Sequence, residues 1–281
     1  MFRKIAKKIL TKSPKTYTSI HAANFERTHK QDFSKFDERE KELLLDVQKN
    51  GYTVIRNFFD NELCQACIND MDMMFETKKE FVHKSEYADS RIFGAEDLSK
   101  NIKKFADDLF LHKIANAYNA VPTSNGFTLA GKIEATGHKF GSGGEWHRDS
   151  YFRQFKSLLY LTDVDLDNGP FQVIHRSHQS KQISIDTKNA DLESMQCSFN
   201  QGIVEKILDE SPDRLKTLTG KAGTLVLVDT SIIHRGIPLK TGQRYALTNY
   251  FFENAQINSH LVEHFAPIVS PEKVLRMGQD N

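Results

Sequence analysis

Apolar positions recur along this chain at two periods, three to four residues in the first half and two in the second. From Asp37 onward, Leu43, Leu44 and Val47 share one helical face, and Asn50-Gly51 closes that helix. GYTVIRNFF (51–59) then alternates as a strand does. Asp60 or Asn61 can cap a long helix carrying Leu63, Cys67, Met71 and Met74 to about Lys84. A second helix is predicted from Glu96 to about Asn119, with Ile102, Phe105, Leu109, Ile114 and Tyr118 inward. After Val121-Pro122 the texture changes to short runs bounded by Gly, Asn and Asp: FTLAGKIEA, EWHRDSY, SLLYLTDV, PFQVIH, GTLVLVDTSIIHRG and RYALTNYFF. These read as strands of a sandwich or barrel, interrupted over 181–215 by a more helical insertion that includes QGIVEKILDE.

The expected architecture is therefore a mainly β core with flanking helices. Residues 1–36 read as a basic and polar N-terminal extension and 37–281 as one domain. Within the extension, MFRKIAKKILTK sets Phe2, Ile5, Ile9 and Leu10 against a basic face. A helix of this length binds a membrane only marginally by itself, so it reads as peripheral packing.

Composition narrows the function. With 39% hydrophobic and 27% charged residues in 281, the chain can build a large core and is not a disordered one. The 38 Lys and Arg nearly cancel the 37 Asp and Glu, so nothing in the overall charge of +1 points to nucleic acid, and any anion binding must be local. No run approaches the ~18 apolar residues of a membrane span, and no cleavable leader is evident. Three cysteines do not make an extracellular disulfide framework. The expectation is a cytoplasmic protein, monomer or homodimer, with a small-molecule substrate, no nucleic-acid partner and no stable membrane insertion. Cys64-x-x-Cys67 has no second pair and shares a helix face with Met71, so it reads as packing.

The chemistry concentrates in three places. In WHRDSY, His147 and Asp149 are two residues apart on an extended segment, so both can face one metal. His234, at the end of GTLVLVDTSIIHRG, is the best third ligand. Two histidines and one carboxylate form the facial set that leaves adjacent positions open on iron(II). A zinc hydrolase could use the same ligands, but no helical His-Glu-x-x-His supplies its general base. One hairpin beyond His234 comes Arg244, whose guanidinium suits the far carboxylate of a dicarboxylic co-substrate.

WHRD (146–149), YLTDVDLDNGPFQVIHRSH (160–178), GTLVLVDTSIIHRGIPLKTGQRYALTNYFF (223–252) and GYTVIRNFF together resemble the phytanoyl-CoA dioxygenase-like family of iron(II)/2-oxoglutarate oxygenases. The resemblance implies a double-stranded β-helix, the cupin-like jelly roll. It also implies that His147, Asp149 and His234 hold Fe(II), that Arg244 binds 2-oxoglutarate, and that O2 is consumed, with ascorbate a candidate reductant. Lys132, in GKIEA, matches a family lysine near the co-substrate. Two departures stand out: Arg148 replaces a frequent Gln, and His175-Arg176-Ser177-His178 replaces a Pro-Gly-Ser-His turn. The cations Arg148, Arg153, Lys156, Arg176 and Arg235, with His178, are candidate contacts for an anionic substrate. The competing class is a non-catalytic jelly-roll protein that binds a metal or ligand without turnover.

Overall fold

A computed structural model describes residues 33–84, 89–135, 144–193 and 195–254, together with Ile257, Glu263 and Val269. The basic segment 1–12 lies outside the described residues. Helix α1 (Glu38–Asn50) starts at a capping box between Asp37 and Glu40 and buries Leu44 and Val47. Gly51 ends it in the left-handed region, at φ 90°, with its N–H donating to the Val47 carbonyl. Strand β1 (Tyr52–Ile55) follows. Helix α2 (Asn61–Thr77) is capped by Asp60 and turns Cys64, Cys67, Met71 and Met74 inward. Burial pushes the two thiols up to about 11 and about 12, as expected of packing groups rather than reactive ones.

Both long helices are shorter than their periodicity predicts. Past Thr77 the chain makes one 3-10 turn and then β2 (His83–Lys84), which pairs with β3 (Asp89–Phe93). That strand pairing outweighs the local helical propensity of the lysine-rich segment. The stretch expected as one helix from Glu96 is two, α3 (Lys100–Ala106) and α4 (Leu109–Asn119). Asp108 forces the break, because its side chain accepts from the Leu111 N–H and restarts the helix as an N-cap. Leu109, read as core, consequently sits on the first turn and is 85% exposed.

The remaining strands are β4 (Thr123–Glu134), β5 (Trp146–His147), β6 (Phe155–Tyr160), β7 (Phe171–Ile174), β8 (Ser198–Phe199), β9 (Leu215–Leu218), β10 (Leu225–Asp229), β11 (His234–Gly236) and β12 (Gln243–Glu253). They form two sheets, β1-β10-β6-β12-β4-β3-β2 and β8-β5-β11-β7-β9. All pairings between these strands are antiparallel. This is the jelly-roll core with flanking helices. Strand β10 is buried along its whole length, which explains the unbroken apolar run LVLV. Leu225 and Leu227 join Leu159 and Leu247 in the cluster packed on the helices, while Val226 and Val228 face the sandwich interior with Val173 and Ile232. GTLVLVDTSIIHRG is thus two strands in different sheets, and the bend at 230–233 carries the chain across.

The insertion contains α5 (Ser180–Ala190) and α6 (Gln201–Leu208), but also β8, which pairs with β5 through Trp146↔Phe199 and His147↔Ser198. It therefore backs the strand that carries His147. Phe199, Val204 and Ile207 pack with Trp146 and Ile233 into a small core of their own.

Gly223 is a point of close approach. Its φ is +80°, a Cβ there would lie 2.0 Å from the Phe59 carbonyl oxygen, and its own carbonyl accepts from the Phe58 N–H. Gly223→Ala is expected to cost about 2 kcal/mol, from left-handed strain of about 1–2 kcal/mol plus the displaced backbone. Urea unfolding checks this, and a midpoint equal to that of the wild type contradicts it.

Candidate active site

His147 and His234 stand directly opposite each other where β5 pairs with β11, their ring centroids 4.3 Å apart. Each ring is oriented by nearby backbone. His147 Nδ1–H donates to the Glu145 carbonyl at 2.7 Å and His234 Nδ1–H to that of Ile232 at 2.9 Å. Because a carbonyl only accepts, both protons sit on Nδ1 and both Nε2 lone pairs are left for a ligand. Asp149 lies just beyond β5, held by its N–H to the Thr230 carbonyl at 3.0 Å. Its carboxylate oxygens lie 3.5 Å from His147 Nε2 and 3.7 Å from His234 Nε2. One ligand atom from each residue falls within 4.8 Å of the others.

The protonation states of His234 and Asp149 favour a cation, whereas that of His147 requires a cation to displace a proton. Burial pushes the His234 imidazole down to about 4, so it is neutral at neutral pH. Burial also lowers His147, but hydrogen bonds to Asp149 and to the Glu145 carbonyl outweigh it and raise the imidazole above its usual value. Burial opposes the charge on Asp149, yet Lys156 and the two histidines hold its carboxyl well below the usual carboxylate range. A charged carboxylate beside imidazole lone pairs is the donor set of a non-haem iron centre.

The triad opens on a cavity of about 300 Å³ between the two sheets. Its large-sheet wall follows alternate residues of β12, namely Arg244, Ala246, Thr248 and Tyr250, and of β4, namely Leu129, Gly131 and Ile133. Arg244 is half-buried; one guanidinium nitrogen donates to the Gly169 carbonyl, while its Nε is closed off from solvent and has no protein partner. An unsatisfied buried donor of a cation is costly, and a carboxylate in the cavity would satisfy it.

The other sequence candidates divide sharply. Lys156 lines the cavity and donates to Asp149 Oδ2 at 2.7 Å. Lys132 does not line it: one residue from Ile133, it projects to the opposite face, over the Tyr245 ring and toward Asp72 and Glu134. The strand period of two decides this, and it corrects the expectation that Lys132 sits near the co-substrate. Arg148 is 4% exposed, and its guanidinium donates to the carbonyls of Ser231 and Ser177. Arg153 donates to the Tyr118 carbonyl, and Arg176 and His178 bond the carbonyls of Lys49 and Gln48. Arg235 lies over the Trp146 ring and donates to Gln172. None of these five lines the cavity.

The two sequence departures thus belong together. Arg148 ties the bend before His234 to the turn at 175–178, where Ser177 Oγ accepts from the Ile233 N–H. Arg176 takes φ 64° in that turn, the left-handed conformation in which a glycine carries no strain.

Asp229 escaped the sequence reading. It accepts from the Tyr118 hydroxyl at 2.7 Å and from the N–H groups of Gln154 and Ser231 at 3.1 and 2.9 Å, so it shapes the bend that delivers His234. Its signal in the sequence is a single carboxylate closing the apolar run LVLV. Asp89 and Arg91, paired at 2.8 Å on the cavity wall, carried no signal at all.

The sequence profile described as phytanoyl-CoA dioxygenase (PhyH) matches residues 47–246. Among solved structures, EctD from S. alaskensis, determined with 2-oxoglutarate and 5-hydroxyectoine, superposes with a TM-score of 0.62 at 14% identity, covering 81% of this chain and 80% of that one. The epimerase SnoN from nogalamycin biosynthesis, in complex with Fe3+, alpha ketoglutarate and nogalamycin RO, gives 0.58 at 12% identity over 77% and 84%. HygX from Streptomyces hygroscopicus, with nickel and 2-oxoglutarate, gives 0.54 at 13% over 75% and 86%. At these identities the likeness is one of fold. No curated protein sequence matches the chain.

Proposed function

We propose, for a chain that belongs to the phytanoyl-CoA dioxygenase family, the activity of an iron(II)- and 2-oxoglutarate-dependent dioxygenase that hydroxylates an unactivated C–H bond of a small polar metabolite. The observation that carries this reading is that one cavity holds both the His147, Asp149, His234 set and the guanidinium of Arg244, whose buried Nε lacks a partner. A protein that merely binds a metal has no need of the second feature. A zinc hydrolase needs a general base, and the carboxylates among the cavity-lining residues are Asp149 and Asp89, the latter engaged by Arg91.

His147, Asp149 and His234 would hold the iron and Arg244 the far carboxylate of 2-oxoglutarate. Iron(II) bound with that co-substrate supplies O2 activation and the oxidising power for the C–H bond, with succinate and carbon dioxide as co-products. The protein contributes position and shielding. The backbone-held imidazoles keep their Nε2 atoms aimed without side-chain reorganisation, and Leu158, Val228 and Phe171 wall the cavity with apolar surface. Arg244 fixes the direction in which a dicarboxylate enters. Ascorbate is the reductant expected to sustain repeated turnover.

The test is anaerobic addition of Fe(II) and 2-oxoglutarate, which should give the visible charge-transfer band of the chelate, followed by succinate release in air against a metabolite panel. A chain that binds Fe(II) but gives no band and no succinate would refute the assignment.

A further inference from the structure

Of the five cations picked out in the sequence as anion contacts, the cavity retains Lys156 alone, and its surroundings give it a specific task. It enters from β6 and is 4% exposed, so its ammonium is desolvated. It donates to Asp149 Oδ2 at 2.7 Å and lies 3.6 Å from the centroid of the Tyr250 ring. Tyr250 opposes Lys156 in the β6–β12 register and is itself stacked on Phe127, with centroids 4.6 Å apart. The ammonium is thus clamped rather than mobile. An ammonium has three N–H donors. Asp149 takes one and Tyr250 at most a second, which leaves a donor over the cavity that all three residues border.

Without metal, the Lys156–Asp149 pair is neutral. A divalent cation at the triad changes the balance: two charges from the metal and one from the buried Lys156 face the single negative charge of Asp149. Lys156 is buried, and a buried charge left uncompensated is costly, so metal loading makes this end of the cavity favour an anion. Arg244 does the same at the other end of β12. Arg244 and Tyr250 are separated by three inward-facing steps of that strand, about 20 Å at roughly 3.4 Å per residue. The two cations thus enter one cavity from well-separated points along its wall, an arrangement suited to the two ends of a dicarboxylate.

Resting on the function proposed above, we propose that Lys156 is the second anchor of the co-substrate, donating to the carboxylate beside the keto group while Arg244 takes the distal one. Metal and 2-oxoglutarate then reinforce each other's binding, because the metal withdraws from Lys156 the charge compensation that the incoming carboxylate restores.

Calorimetric titration of the full chain with 2-oxoglutarate, anaerobic and at Mn(II) saturating for each variant, tests this without turnover. Lys156→Met should weaken 2-oxoglutarate binding about tenfold or more, the scale of a lost charged hydrogen bond. Lys156→Arg should stay within a few-fold of the wild type, since the charge and donors persist. If Lys156→Met does not melt cooperatively, Lys156→Gln takes its place. An unchanged 2-oxoglutarate affinity in the uncharged variant overturns the proposal. So does a variant that loses Mn(II) affinity while its 2-oxoglutarate affinity at saturating metal is intact, because Lys156 would then act only by placing Asp149. Failure of the wild type itself to bind 2-oxoglutarate with metal present defeats the co-substrate reading, and this inference with it.

Discussion

His234→Ala is expected to leave a folded chain that no longer assembles the iron centre. His234 is neutral and 4% exposed, so its removal strands no charge. It costs the Ile232 carbonyl one donor and opens a small cavity, a loss of about 1–3 kcal/mol. The effect on the metal should be far larger. Asp149 would face one imidazole instead of two, and the three-sided set becomes a bidentate pair. Losing a second-shell partner costs about 10–100-fold in metal affinity, and losing a ligand should exceed the upper end of that range. In an anaerobic titration the variant should show no charge-transfer band at Fe(II) concentrations that saturate the wild type, while its thermal transition remains cooperative. A band of normal intensity in the variant would remove His234 from the ligand set.

Arg148→Ala is expected to act on the fold rather than on substrate affinity. The guanidinium is buried and spans two backbone carbonyls from separate loops, Ser231 on the bend before His234 and Ser177 in the turn after β7. Burial lowers its pKa to about 10, which still leaves it charged at neutral pH. Truncation leaves both carbonyls without donors and a void against the Phe199 ring. Breaking a buried charged contact costs about 3–5 kcal/mol. At about 2–4 °C per kcal/mol for a chain of this order, the melting temperature should fall by roughly 10 °C. Arg148→Lys should recover little of this, because one ammonium on a flexible stem cannot bridge two fixed acceptors as a planar fork does. Differential scanning calorimetry decides it: an Arg148→Ala chain that melts with the wild type but turns over its substrate poorly would return Arg148 to the substrate contacts.

Of the site, the sequence showed what depends on order and short spacing. His147 and Asp149 are two residues apart and do face the same ligand space, although the strand itself ends at His147. What it misplaced were side chains whose surroundings come from elsewhere in the chain. Lys132 and Ile133 are adjacent, and nothing near them tells which belongs to the cavity; pairing with β12 and β3 settles it. Arg148 sits between two ligand candidates and looks like part of the rim, but its acceptors come from segments far along the chain.

By itself, then, the sequence determined the family and the jelly-roll architecture, and it singled out His147, Asp149, His234 and Arg244, which the fold brings to one cavity, along with helix starts that caps of a few residues encode. Those features are local, or repeat with the period of their own element. Only the tertiary structure decided that β10 and β11 belong to different sheets, that Arg148, Arg153, Arg176 and Arg235 bond backbone or neighbouring side chains off the cavity, and that Lys156 reaches Asp149. Those outcomes depend on which strands pair and in which register, and pairing is decided by burial across the whole sandwich, where shifting a strand by one residue turns every side chain to the other face.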